Sequence, residues 1–262
     1  MNTRRIANAA AYLREPFKYL WPITLLNAFF DRYTGGRDRP AFFDIDATFP
    51  PLNELTRHHA LIKDELARIL PAKSLMPRYH EVDFTQYSIS GKVQGDKDWK
   101  VFMLYAMGER PAANRSLCPR TCELLEKVPD LFQAFFSILD AGKSIPRHTG
   151  PYRGYLRYHL ALKVPANNPP ALRVKDKWYE WKEGEAVLFD DSHHHEVANI
   201  AEEDRVVLVV DVLRPMPPLP RLINRVIALG VVRLVYAKGV IRVSPLVARL
   251  TKRSSPSVEH FR

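Results

Sequence analysis

Alternation with a period of two, in two well-separated segments, constrains the fold more than any other feature of the chain. In Tyr152-Arg-Gly-Tyr-Leu-Arg-Tyr-His-Leu-Ala-Leu162 it places Tyr155, Arg157 and His159 on one face of a strand. In Arg205–Leu213 it aligns Arg205, Val207, Val209 and Asp211. Glu185–Phe189 reads as a further strand, and Leu172–Val174 with Trp178–Trp181 as a hairpin around Lys175-Asp176-Lys177. Short strands at near-regular spacing predict a sandwich, jelly roll or barrel rather than a doubly wound sheet. Helical spacing precedes them. Residues 53–70 carry apolar side chains at helical intervals and stop before Pro71, and a second helix is predicted over Arg120–Val128. There is no Gly-rich phosphate loop and no internal repeat. The 262 residues suit one large domain or two small ones.

The net charge of +10 is carried by the ends. Residues 31–213 hold 25 basic and 27 acidic side chains, whereas residues 1–30 hold four and one, and residues 214–262 ten and one. These flanking basic residues lie among Leu, Ile, Val and Ala. That argues against a nucleic-acid reader and fits either helices packed on the domain or segments lying on an anionic membrane surface. On a helical wheel Arg221, Arg225 and Arg233 fall within about 120° of one another, with Leu222, Ile223, Val226, Ile227 and Leu229 mostly elsewhere. The C-terminal flank is therefore expected to hold the protein to an anionic membrane surface, its basic side chains and apolar burial adding to one another; the competing arrangement packs the apolar faces on the domain and leaves the arginines in water. Lys238, Arg242, Arg249 and Arg253 form a second basic cluster, which Pro245 divides. The uncharged run Tyr19–Phe30 is twelve residues long and interrupted by Pro22, against the roughly 20 a spanning helix needs. Arg14 and Glu15 close the stretch after Arg4 and Arg5 too early for a signal peptide. Cys118 and Cys122 make no disulfide framework, and without neighbouring histidines they are weak metal candidates. The expectation is a cytoplasmic protein, peripheral on the membrane.

Two histidine positions carry the chemistry. His148 lies in Pro146-Arg-His-Thr-Gly150 just before a strand, and His195 closes Asp190-Asp-Ser-His-His-His195 just after one. Loops at strand ends are where a barrel presents metal ligands, and neutral imidazole suits Fe, Zn or Cu. The long interval between them excludes a zinc finger and fits two strand ends that meet only in the fold.

The ordered set Ser137-Ile-Leu139, His148-Thr-Gly-Pro151, Leu156-Arg-Tyr-His-Leu160, Trp181-x-x-Gly-Glu-Ala-Val-Leu-Phe-Asp-Asp-Ser192, His195-Glu-Val197, Arg205 and Asp211-Val-Leu-Arg-Pro215 closely resembles the aspartyl/asparaginyl β-hydroxylase family. Trp99-Lys-Val-Phe, Cys118-Pro-Arg-Thr-Cys122 and Leu124-Leu-Glu-Lys-Val-Pro129 fit it too, so that the resemblance covers roughly residues 75–215. The flanks, through Pro22-Ile-Thr, the Arg39-Pro40 region and Met216 onward, are more similar to the bacterial lipid A hydroxylase branch. The resemblance implies a mainly β fold, a double-stranded β-helix of jelly-roll or cupin type with flanking helices. It also implies an enzyme, a dioxygenase using Fe(II), 2-oxoglutarate and O2 to hydroxylate its substrate while yielding succinate and carbon dioxide. By the same resemblance His148 and His195 are the iron ligands, and Arg205 is the catalytic-site arginine that pairs with the distal carboxylate of 2-oxoglutarate. Ser137, Arg157 and His159 match other positions that contact the cosubstrate. A guanidinium suits that task because it binds a carboxylate bidentately.

The site departs from the usual two-histidine, one-carboxylate triad, because the third position is Gly150, which supplies no ligand. Asp190 and Asp191 either support the site from behind or merely turn the chain. The expected division is a basic, apolar flank over residues 1–50, a dioxygenase domain over 51–215 and a basic amphipathic flank over 216–262. Partners would be a polypeptide Asp/Asn side chain or the acyl chain of a membrane lipid, together with an anionic membrane surface and no nucleic acid. The competing readings are a zinc hydrolase recruiting His193 or Glu196 and an inactive scaffold that binds a membrane or partner.

Overall fold

Among the described residues ten antiparallel strands form two sheets. They are β1 (Phe42–Phe43), β2 (Trp99–Ala106), β3 (Leu131–Leu139), β4 (Ile145–His148), β5 (Tyr155–Lys163), β6 (Ala171–Val174), β7 (Lys177–Glu180), β8 (Ala186–Phe189), β9 (His195–Ala198) and β10 (Arg205–Leu213). The large sheet runs β1-β8-β5-β10-β3-β2 and the small one β4-β9-β6-β7. The computed structural model describes residues 21–83, 87–91, 97–231 and 233. The basic cluster Lys238–Arg253 and the start of the N-terminal flank, with Arg4 and Arg5, lie outside the described residues.

The alternation predicted for β5 and β10 is what separates the two cores. Leu156, Tyr158, Leu160 and Leu162 of β5, with Val206, Leu208, Val210 and Val212 of β10, point outward onto a helical layer that includes Leu55, Ile62, Leu66, Leu124 and Leu125. Each such aliphatic side chain contributes about 1.5–3 kcal/mol by leaving water. The alternate residues face the small sheet, where Val101, Phe135, Val207 and Val209 meet Ile145, Leu172, Val174 and Val197. The candidate site lies on this inner face. Architecturally this is the expected jelly roll with flanking helices.

Among the described residues the four longer helices frame the domain: α1 (Trp21–Thr34), α2 (His59–Ile69), α3 (Pro119–Glu126) and α4 (Pro218–Val226). The single helix expected over residues 53–70 is broken at His58, giving Asn53–Arg57 and α2. Cys118 lends α3 no side-chain cap. Instead the buried Glu65 carboxylate accepts from the Arg120 and Thr121 amides (3.0 and 2.7 Å) and the Thr121 hydroxyl (2.7 Å), an anion at a helix N-terminus. Cys118 and Cys122 sit in the outer core, and burial pushes the Cys122 thiol up to about 11 and Cys118 higher still. They are inert packing groups, as expected.

The terminal helices grip one loop. Asn27 of α1 donates to the Pro151 carbonyl (2.9 Å) and accepts from the Arg153 amide (3.0 Å), while Arg153 also pairs with Asp31. Asn224 of α4 donates to the Gly154 carbonyl (2.6 Å) and accepts from Tyr152 Oη (2.5 Å). Phe30, Tyr152, Tyr155 and Ala228 close a small third core around these bonds. One of the two arrangements expected for α4 is corrected here. Arg221 and Arg225 turn toward the domain and share Asp130 (2.7 and 2.9 Å), and Arg233 pairs with Glu109 (2.9 Å). The competing arrangement, with the apolar face packed on the domain and the arginines left in water, does not hold, because a wheel shows which residues share a face but not which face finds a partner. No described helix is long and apolar enough to cross a membrane.

Candidate active site

His148 ends β4 and His195 begins β9, and the two residues are directly opposed across that strand pair. They thus lie on the strands rather than in the loops beyond them. Their ring centroids are 4.0 Å apart. The same local device orients both rings: Nδ1 of His148 meets the Pro146 carbonyl at 2.8 Å, and Nδ1 of His195 meets the His193 carbonyl at 3.0 Å. A carbonyl can only accept, so Nδ1 carries the proton and Nε2 the lone pair, the form in which imidazole binds a metal.

Position 150 has no room for a side chain. A Cβ built there would stand 2.5 Å from Asp191 Oδ1 and 2.7 Å from its Cγ. The Gly150 amide also donates to the Asp191 backbone carbonyl at 2.8 Å. The Asp191 carboxylate is held by Tyr155 Oη (2.7 Å) and lies 3.2 Å from an Arg157 nitrogen. Burial pushes its pKa up against the pull of Arg157. Gly150→Asp is therefore expected to destabilise the protein by about 1–3 kcal/mol through overpacking, with like-charge repulsion added. Combining it with Asp191→Gly should recover part of the loss in thermal melts. A Gly150→Asp variant as stable as the parent would show that Asp191 does not fill this space.

Asp190 does different work. It is fully buried and accepts from Arg39 Nε (2.8 Å) and Ser192 Oγ (2.5 Å), with Arg214 at 2.6 Å. Burial alone would raise its pKa, but Arg214, Ser192 and Arg39 outweigh it and the net shift is downward. A lowered carboxylate stabilises the fold above its unfolded pKa, and that contribution disappears as pH falls through the lowered folded value. Asp190→Asn leaves two buried guanidiniums short of a counterion. It should cost about 3–5 kcal/mol in denaturant unfolding and flatten the acid limb of the stability profile.

Arg205 is a buried cation with unanswered donors. It is 1% exposed, and its Nε and Nη1 are buried with no hydrogen-bond partner. Its guanidinium carbon sits 4.7 Å from the Trp181 ring centroid. Burial pushes its pKa down to about 9, which leaves it charged at neutral pH. Ring contacts connect it to the imidazole pair. Trp181 stacks on His159 at 5.9 Å, His159 meets Phe189 at 5.0 Å, and Phe189 meets His195 at 6.1 Å. Burial and the nearby Arg205 and Arg157 drive the His159 pKa well below its ordinary value, and its buried Nδ1 has no partner.

The remaining predicted residues are engaged within the protein. Ser137 Oγ accepts from Trp99 Nε1 at 2.9 Å. Arg157 binds Asp211 bidentately (2.7 and 2.8 Å), and Asp211 with Asp191 raises its pKa despite burial. His193 Nε2 meets the Arg39 carbonyl at 3.1 Å, and Glu196 pairs with Arg173 at 2.7 Å, so neither is turned to serve as the third ligand a zinc hydrolase would need. Among the described residues no group of three or more His, Cys, Asp or Glu is placed to hold a metal. Two imidazoles and no protein carboxylate is nevertheless the donor set that His-x-Gly implies. Sequence reasoning assigns no role to Trp181, the residue bridging Arg205 and His159, or to Tyr155 and Asp211. The alternation aligns Arg157 with Tyr155, and Arg205 with Asp211, but only the pairing of β5 with β10 makes Arg157 and Asp211 cross-strand partners.

The family model described as Aspartyl/Asparaginyl beta-hydroxylase matches residues 56–215. An ornithine lipid ester-linked acyl 2-hydroxylase from Rhizobium tropici is 38% identical over 71% of this chain and 64% of that protein. The human aspartyl/asparaginyl beta-hydroxylase is 31% identical over 81% of this chain but only 28% of its own length. The chain thus spans less than two thirds of either relative. Among solved structures, a Pseudomonas putida prolyl-4-hydroxylase is similar at TM-score 0.40 and 16% identity, over 60% of this chain and 88% of that one. The chain belongs to the aspartyl/asparaginyl β-hydroxylase family.

Proposed function

We propose that this protein is an Fe(II)- and 2-oxoglutarate-dependent hydroxylase acting on the acyl chain of a membrane lipid. One observation carries the reading: a pair of imidazoles with Nε2 left to a metal lies at the edge of an inner core that holds a buried guanidinium, of which Nε and Nη1 have no acceptor among the described residues. An unpaired buried charge costs several kcal/mol and persists where a ligand completes it. A dicarboxylate fits, because one end can meet Arg205 while the other lies toward the histidines. His148 and His195 would hold the iron, which with 2-oxoglutarate and O2 supplies the oxidising power to hydroxylate a C–H bond. Arg205 would anchor the far carboxylate, Trp181 and His159 lie between it and the imidazole pair, and Ser137 and Arg157 lie on the same inner face. Around Arg205 and His159 the inner-face aromatics and valines are buried, which keeps water from that end of the site.

The choice of substrate rests on two observations. The more similar of the two relatives is named as a lipid acyl hydroxylase. In addition, Arg157 is already balanced by Asp211 and Asp191, so Arg205 is the cation left to a carboxylate on this inner face among the described residues. Cosubstrate claims it, and a neutral acyl chain asks for no other. The test is succinate production from 2-oxoglutarate with iron, alone, with lipid extract and with pools of Asp/Asn peptides. Stimulation by lipid is expected. Stimulation by peptide alone would move the substrate to a polypeptide, and failure to bind 2-oxoglutarate would overturn the reading altogether.

A further inference from the structure

Helix α4 leaves an apolar stripe in the open instead of packing it on the domain. Its arginines are tied to Asp130, and its interior contacts run through Pro220 and Asn224. Leu219, Leu222 and Val226 follow one another at helical spacing along a single stripe, and they are 64%, 60% and 60% exposed. Ordinary surface helices turn such a stripe to the core. Leu25 of α1, the other helix gripping the 151–154 loop, is 61% exposed as well. That loop begins three residues after His148, so the stripe sits on an element bonded directly to the chain that leaves the metal-site strand.

We propose that the Leu219–Leu222–Val226 stripe is a membrane-docking surface that inserts shallowly among the headgroups of an anionic bilayer. The inference rests on the lipid-acyl reading of the active site and names the face through which that substrate class would be met. Charge complementarity selects a bilayer over a protein partner. The sequence from residue 214 onward holds ten basic side chains and one acidic one, so the apolar stripe belongs to a strongly basic stretch of the chain. That is the composition of an interfacial helix, where apolar burial and headgroup attraction add. A stripe meant for a second copy of this chain would bring two such basic segments together.

The test uses the full chain and vesicles of phosphatidylcholine with and without phosphatidylglycerol. Leu219→Ser/Leu222→Ser/Val226→Ser changes only exposed positions, and it should weaken binding to the mixed vesicles about tenfold to a hundredfold while leaving 2-oxoglutarate affinity unchanged. A Leu222→Cys variant carrying an environment-sensitive fluorophore should report a wet site in solution and an apolar one on the mixed vesicles. Cys118 and Cys122, at 0% and 4% exposure, are too buried to compete for the label. Parental binding by the triple-serine variant would overturn the surface while leaving the hydroxylase reading intact. So would a label already shielded without vesicles, whether by another segment of the chain or by a second copy. Loss of 2-oxoglutarate binding in the parent would instead strike the functional reading.

Discussion

His148→Ala and His195→Ala should each weaken iron binding by more than about a hundredfold, and 2-oxoglutarate turnover at limiting iron should collapse with it. Loss of an outer hydrogen bond to a metal ligand alone costs about 10–100-fold, and here a ligand itself is removed from a set of two. His193→Ala and His194→Ala should keep most of both properties. The His193 residue orients the His195 ring through its backbone carbonyl at 3.0 Å, which the alanine variant retains. Its own ring points to the Arg39 carbonyl instead. Anaerobic iron titration of the four variants gives the answer. Iron lost on changing His193 but kept on changing His195 would reverse the assignment.

How much of this is legible in the sequence depends on the range of the interaction. Period-two alternation places Arg157 and His159, and likewise Arg205 and Asp211, on inward faces, because side-chain direction in a strand is a local property. The β6–β7 hairpin is equally local: Val174 pairs with Lys177, and Lys175 adopts the left-handed φ of 57° that such a tight turn demands. What the sequence conceals is set by partners far along the chain. Nothing near residue 150 announces that Asp191 fills the space beside it. The α4 wheel misleads for a related reason. Its outcome hinges on Asp130, a residue at φ 52° in the turn before β3, whose carboxylate is presented to two arginines some ninety positions downstream. Asn27 and Asn224 read as ordinary helical polar residues until the loop between β4 and β5 is seen to need them both.

Arg205→Met should separate function from stability more cleanly than any other substitution in this protein. The guanidinium is buried with no counterion among the described residues, so the unliganded fold bears a desolvation cost that the Trp181 face, worth up to about 2 kcal/mol, offsets only in part. Methionine keeps the apolar stem and can pack against Trp181 through its sulfur. The unliganded variant is therefore expected to unfold at a higher temperature than the parent, by the equivalent of about 1–3 kcal/mol. Its affinity for 2-oxoglutarate should fall by about 2–5 kcal/mol, tens- to thousands-fold, because the distal carboxylate loses its charged donor. Iron affinity should scarcely change, since Arg205 lies beyond Trp181, His159 and Phe189 from the imidazole pair. A structural arginine would behave in the opposite way, with its loss lowering stability and sparing the cosubstrate. Thermal melts of parent and variant, each with and without 2-oxoglutarate, decide between the two. The parent should gain stability from the cosubstrate by mass action, and the variant, already more stable, should gain little. A variant that melts lower than the parent yet titrates 2-oxoglutarate normally would remove Arg205 from the site.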